Sequence, residues 1–148
     1  MHVDETLSMI EPKQVQGMGG YGVGCISEET EEPFVARIPI PNITTDDGRP
    51  LIFKITMAYA DLPGASLAND LNLIVTRDGT NPKQRHGNQG DRDFPVGAKK
   101  PFDRKNNVEQ VVWPRLVSSG NAGVMEVSVK PYRMMLADVP FAYAWKFF

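Results

Sequence analysis

Apolar and polar residues alternate with a period of two along several separate segments of the chain. Between Leu51 and Tyr59 the odd positions are all apolar, while Lys54 and Thr56 fall on the other face. A strand with one buried face gives this pattern, and no stretch of helical length shows a 3.6-residue stripe. We therefore predict an all-β, antiparallel two-sheet sandwich of about eight strands. The other alternating segments are 34–40, 71–76, 108–113, 125–130 and 141–147.

The segments between these strands read as turns and loops. Asp47-Gly48 and Asp78-Gly79 have the composition of tight reversals. A long polar loop covers 81–105, with Phe94 and Phe102 as its expected anchors. We predict that residues 1–16 form an extended arm or linker and that 17–148 form one β-sandwich domain.

Two strands allow predictions about faces. Phe141, Tyr143 and Trp145 share one face and are expected in the core. In the segment 108–113 we assign Val108 and Val112 to the inner face. Val111 and Trp113 then lie on the opposite face, where they are our candidates for an exposed apolar docking patch. The single cysteine, Cys25, is expected to be an inert, half-buried thiol.

Composition excludes several classes of protein. Net charge is −2 and the basic residues are scattered, so we expect no nucleic-acid partner. No apolar run approaches the length of a membrane span. One cysteine cannot form an internal disulfide. The first residues, Met1 to Glu5, have no basic or apolar region of a secretory signal, so none is expected there.

Neither of two common functional patterns is convincing. Residues 17–22 spell G-x-G-x-x-G, but no βαβ context surrounds them. We interpret this segment as a flexible glycine turn that leads into the first strand. The only histidines are His2 and His86, and no nucleophile elbow is present. We therefore predict no catalytic residues and no enzyme activity for the chain itself.

Two polar clusters precede alternating strands and carry the strongest signal. The first runs Asp61-Leu62-Pro63-Gly64 and continues to Asn69-Asp70-Leu71; the second is Asp103-Arg104-Lys105-Asn106-Asn107-Val108-Glu109-Gln110-Val111. Together they resemble the pattern W-T-D-P-P-G … V-N-D-L-D-L-x-V … D-R-x-N-N-V-E-Q-V. This pattern is typical of the β-sandwich domain that follows the catalytic domain in many subtilisin-like serine proteases. The chain departs from it at Tyr59-Ala60, at Leu62 and at Asn72.

The resemblance implies a jelly-roll sandwich, often grouped with galactose-binding-like folds. It also implies a non-catalytic C-terminal accessory domain that stabilises or orients a subtilisin-like catalytic domain of the same polypeptide. Such proteins are extracellular or secretory. A chain that ends inside its last apolar strand fits an excised domain. The alternative is a free-standing β-sandwich module that binds a glycan or a protein partner.

Calcium is the one cofactor that the residues suggest. Carboxylate and amide oxygens are the ligands that Ca²⁺ prefers, and in several members of the resembling family this domain binds calcium. An equally good explanation is that Asp and Asn before a strand cap turns through their own backbone. Asn72 in place of the family's second Asp lowers the charge of any site. The candidate ligands are Asp61, Asp70, Asn107 and Glu109, followed by Asp103 and Asn69.

Overall fold

The computed structural model describes residues 19–29, 32–41, 50–64, 66–79, 81–116 and 123–148. The predicted arm (1–16) and the Asp47-Gly48 turn lie outside these residues. Within them there are nine strands and no helix. The strands are β1 Gly19–Ser27, β2 Phe34–Pro39, β3 Leu51–Tyr59, β4 Asp70–Arg77, β5 Lys83–His86, β6 Phe94–Pro95, β7 Val108–Leu116, β8 Val124–Arg133 and β9 Asp138–Phe147.

The strands form two antiparallel sheets with a jelly-roll order. One sheet runs β1-β9-β3-β7, and the other runs β2-β8-β4-β5-β6. Successive strands alternate between the sheets from β1 to β4, and the chain returns in the reverse spatial order from β7 to β9. This is the double Greek-key arrangement of a jelly roll. The predicted two-sheet sandwich is confirmed, with nine strands in the described ranges where about eight were expected.

The core lies between the sheets and is built from the inward positions of the alternating strands. On β3 every odd position is buried, and Phe53, Ile55 and Met57 have no exposed surface. On β8 the buried apolar positions are Met125, Val127 and Val129. These side chains come from opposite sheets, and burial of each one stabilises the folded state by about 1.5–3 kcal/mol. The period-two pattern therefore identified the core face of these strands.

Aromatic residues of β9 fill the space beside a glycine-rich β1. A methyl group on Gly22 would overlap the ring of Tyr143, and one on Gly24 would overlap the ring of Phe141. Phe34 of β2 packs edge-on against Phe141 at 5.1 Å between ring centroids. The prediction of a glycine turn over 17–22 was wrong for 19–22, because these residues already belong to the first strand. The glycines make room for aromatic side chains rather than for a phosphate.

The face assignment of β7 was also wrong. Val111 is 2% exposed and Trp113 is 6% exposed, and both belong to the core. Val108 points outward instead. Glu109 shares the inward face with Val111, and this buried polar residue is what obscured the pattern. Val111 and Trp113 are therefore not part of any docking surface.

The outer face of the β1-β9-β3-β7 sheet is unexpectedly apolar. Its central row runs across all four strands through Val23, Ala142, Ala58 and Val108, which are neighbours in the strand register. All four residues are exposed. Cys25, expected to be half-buried, is exposed on the same face. An exposed apolar surface does exist, but on the opposite side of the sheet from the one predicted.

Candidate functional site

Both polar clusters lie at the same end of the sandwich. Asp61 follows β3, Asn69 precedes β4, and Asp103 to Asn107 lead into β7. The amide nitrogen of Asn107 donates to the carbonyl of Tyr59 at 2.7 Å. The hydroxyl of Tyr59 in turn accepts from the backbone nitrogen of Leu71 at 3.2 Å. Tyr59 therefore links the first cluster in one sheet to the second cluster and to β4 in the other.

Asp61 and Asn69 organise the loop between β3 and β4. Asp61 accepts from the backbone nitrogens of Ala68 and Asn69, at 3.0 and 2.8 Å. These hydrogen bonds lower the pKa of Asp61 although desolvation opposes them. Asn69 connects Asp61 to the β8–β9 loop, since its Oδ1 accepts from the backbone nitrogen of Met135 at 2.8 Å. The pair is arranged as a turn cap that also holds the β8–β9 loop.

Asp103 has a similar capping role before β7. Its Oδ1 accepts from the backbone nitrogen of Lys105 at 2.8 Å, and its Oδ2 accepts from the amide groups of Asn88 and Asn106 at 2.6 and 2.7 Å. These donors lower the pKa of Asp103 against the effect of desolvation. Asn88 also donates to the carbonyl of Val108 and thereby ties the long loop to β7.

Asp70 faces a cation that the chain itself provides. Its carboxylate is 1% exposed, and Nη1 of Arg104 lies 3.4 Å from Oδ1. The same nitrogen donates to Oδ1 of Asn72 at 2.7 Å. The guanidinium packs over the ring of Tyr132 at 3.7 Å from its centroid, a cation–π contact. Burial raises the pKa of Asp70, and the charge of Arg104 offsets part of that effect.

Glu109 is the most unusual ionisable group among the described residues. It is 1% exposed and sits between the sheets. Its Oε2 accepts from the backbone nitrogen of Leu73 at 2.7 Å, whereas Oε1 is buried and has no hydrogen-bond partner among the described residues. Gly87 packs against this carboxyl so closely that any side chain there would overlap it. Desolvation by burial raises the pKa of Glu109 to about 8, so the group is largely protonated at neutral pH.

His86 is enclosed rather than available for chemistry. Its ring stacks between Phe94 and Phe102, at 4.4 and 4.2 Å between centroids. Its Nδ1 donates to the carbonyl of Pro101 at 2.6 Å. Burial lowers the pKa of this imidazole. The two phenylalanines anchor the long loop as predicted, and the histidine is the group to which they are anchored.

Four of the six predicted calcium ligands are already engaged in hydrogen bonds within the chain. Asp61, Asn69 and Asp103 accept hydrogen bonds from the chain's own N–H groups, and Asn107 is engaged through its amide nitrogen. Asp70 and Glu109 remain, and a guanidinium already stands beside Asp70. Within the described ranges, no group of three or more acidic, histidine or cysteine side chains could hold a metal ion. Calcium binding therefore stays a prediction from the sequence, and the present arrangement disfavours it, because Arg104 stands where an ion beside Asp70 would have to bind.

A melting experiment distinguishes a calcium ion beside Asp70 from the guanidinium of Arg104. We expect the melting temperature of the chain to change by less than about 1 °C between EDTA and millimolar Ca²⁺. Asp70→Ala should lower it by several degrees in both buffers, because a buried ion pair is lost in each case. A rise of several degrees in calcium that disappears in Asp70→Ala would contradict this expectation. That result would show an ion displacing Arg104.

Sequence reasoning missed several residues that complete this end of the sandwich. Arg104 was visible only as part of the resemblance, although a cation next to buried carboxylates is the simplest source of charge balance. Asn88 and Arg85 lie in the long loop and in β5, where no pattern marks them. Arg85 pairs with Asp93 at 2.6 Å and donates to the carbonyl of Val112 at 2.9 Å. These contacts close the edge of the sandwich between β5 and β7.

No helix within the described ranges has the length and apolar character needed to cross a membrane. A scan against protein-family models matched none, and a search among curated proteins found no match. The resemblance to the accessory domain of subtilisin-like proteases therefore remains a prediction from the sequence.

Proposed function

We propose that this chain is a non-catalytic accessory domain that stabilises or orients a subtilisin-like catalytic domain of the same polypeptide. The observation that carries the proposal is the meeting of the two sequence clusters at one end of a jelly roll. There Asn107 reaches Tyr59, and Arg104 reaches Asp70 and Asn72. A sequence pattern has a structural role when its separate parts contact one another in the fold, and the two clusters do so here.

The chemistry of these residues supports a structural role. The carboxylates of Asp61 and Asp103 are occupied by N–H donors, and Asp70 is paired with a guanidinium. The ring of His86 is held between two phenylalanines. A nucleophile next to a base would be needed for hydrolysis. The polar groups at this end instead join the loops and both sheets into one rigid unit.

The proposal is tested first by reading the coding sequence upstream of Met1. A subtilisin-like domain in frame would support it, and an isolated gene without such a domain would contradict it. If the domain is present, the parent polypeptide should be compared with a version lacking 17–148. We expect the shortened enzyme to lose activity at elevated temperature at least several-fold faster. The purified 148-residue chain should not cleave casein or peptide substrates at a measurable rate.

One observation favours the alternative of a free-standing module that binds a protein partner. The apolar row on the outer face of the β1-β9-β3-β7 sheet is exposed, and Val108 alone leaves 48% of its surface accessible. Exposed apolar rows of this kind mark interaction surfaces. A genuine start codon with no catalytic domain in frame, together with retained stability of the isolated chain, would favour this alternative over the accessory role.

A further inference from the structure

The outer face of the β1-β9-β3-β7 sheet is apolar and exposed at its centre. The row through Val23, Ala142, Ala58 and Val108 crosses all four strands. Tyr21, on the next row towards the start of β1, is 46% exposed. Two of the four side chains in the central row are single methyl groups. A second surface could therefore approach to the ordinary spacing of packed sheets, about 10 Å.

The two ends of this face carry opposite charges. Lys54 and Lys146 are direct cross-strand neighbours at one end. Neither ammonium has an ion-pair partner among the described residues. Like charges placed opposite each other are unfavourable unless something compensates them. Asp138 lies at the other end. Glu28 is beside it, because the backbone nitrogen of Glu28 donates to the carbonyl of the preceding residue, Ala137.

These charges are placed symmetrically about the apolar row. Along β9, Asp138 and Lys146 lie at equal distances, roughly 13 Å, on either side of Ala142. All three side chains point outward. A two-fold axis that lies along the apolar row would place the row of one copy on the row of the other. The same rotation brings Lys146 and Lys54 of each copy towards Asp138 of its partner.

We infer that this face is the interface of a symmetric dimer, in which a second copy of this chain covers it. A self-complementary patch is what a closed two-fold interface requires. The second copy supplies both the apolar cover for the central row and the carboxylates that the lysine pair lacks. The inference is independent of the proposed function, because it concerns surfaces that lie within this one chain.

Charge exchange tests the pairing directly. Sedimentation equilibrium between about 5 and 500 µM should show a monomer–dimer equilibrium that weakens as salt rises. Asp138→Lys and Lys146→Glu should each raise the dissociation constant at least 10-fold. The double variant Asp138→Lys/Lys146→Glu should return it to within about 3-fold of the parent, since the two charges are exchanged. Ala142→Arg, at the centre of the row, should abolish the dimer.

Two controls keep the result interpretable. Lys130→Glu changes the same type of exposed charge on β8 of the other sheet and should leave the dissociation constant unchanged. Each variant should keep the melting temperature of the parent monomer, because all the substituted positions are exposed. A parent chain that stays monomeric at 500 µM overturns the inference. So does a dimer that survives Ala142→Arg. The inference is also overturned if this face is covered only when the chain is fused to an upstream catalytic domain, because that domain would then be its partner.

Discussion

Replacing Glu109 with glutamine should increase the free energy of unfolding at pH 8 by about 3–5 kcal/mol and leave it almost unchanged near pH 4. The reason is the burial of an acid between the two sheets. Its Oε1 has no hydrogen-bond partner in the part of the chain that the structure describes, and desolvation raises the pKa of the carboxyl from 4.5 to about 8. Asp103 and Asp70 add repulsion, and Arg104 offsets part of it.

The direction of the pH dependence follows from proton binding in the two states. Below about pH 4.5 the carboxyl is protonated in both the folded and the unfolded chain and contributes nothing. Between pH 4.5 and 8 the unfolded chain releases the proton while the folded chain retains it, so stability falls as pH rises. Above pH 8 the full penalty is present. Glutamine cannot ionise, and its carbonyl can still accept from the nitrogen of Leu73.

Urea denaturation of both proteins at pH 4.5, 6, 7 and 8.5 measures this effect. The difference between the two free energies should grow with pH and level off above 8. Glu28→Gln, at an exposed position, is the matched control and should show no such growth. Equal stability of the parent and Glu109→Gln at pH 8.5 would mean that the carboxylate finds a partner, such as a cation, when it ionises.

The strands that could be predicted from sequence are those whose two faces differ clearly. On β3 and β9, large apolar side chains fill one face, while the other face includes Lys, Thr and Ala, so the pattern predicted both the strand and its buried side. Phe141 and Tyr143 are buried and Trp145 packs against the core, as expected. In these strands the burial of apolar surface determines the structure, and the hydrophobicity of each residue can be read from its type alone.

The errors arose where residue type and burial disagree. On β7 both faces contain valine, and the buried face includes Glu109, so alternation alone chose the wrong side. Strand β5 lies inside the predicted polar loop because Gln84, Arg85 and His86 are buried polar residues. Their burial depends on partners such as Asp93, Pro101 and Ala98, which are distant in sequence. Such tertiary compensation has no local signal.

The candidate site was predictable in place but not in arrangement. That the two clusters meet at one end follows from strands that start and stop there. Which oxygen faces which donor does not follow, because Arg104 could as easily have pointed to solvent. Asp61 and Asp103 act as turn caps, and Asp70 is paired with the guanidinium of Arg104. Glu109 fits neither explanation, and it is the residue on which the largest pH effect depends.

Replacing Gly24 with alanine should destabilise the domain by about 2–3 kcal/mol, although alanine is normally the better residue in a strand. An added methyl group would overlap the tip of the Phe141 ring, which is 3% exposed and has Phe34 against it. Neither ring can move without disturbing the packed core. The cost is therefore overpacking rather than backbone strain.

A double-mutant cycle with Phe141→Leu tests this explanation, since leucine removes the ring tip that the new methyl group would meet. The double variant should be more stable than the sum of the two single changes predicts, by at least about 1 kcal/mol. Gly64→Ala is the control, because its methyl group would meet only the carbonyl of Ser66 at 3.6 Å. It should be neutral or slightly stabilising. Strict additivity of Gly24→Ala and Phe141→Leu would rule out the overlap as the cause, and the glycine would then have to be explained by its strand-edge position.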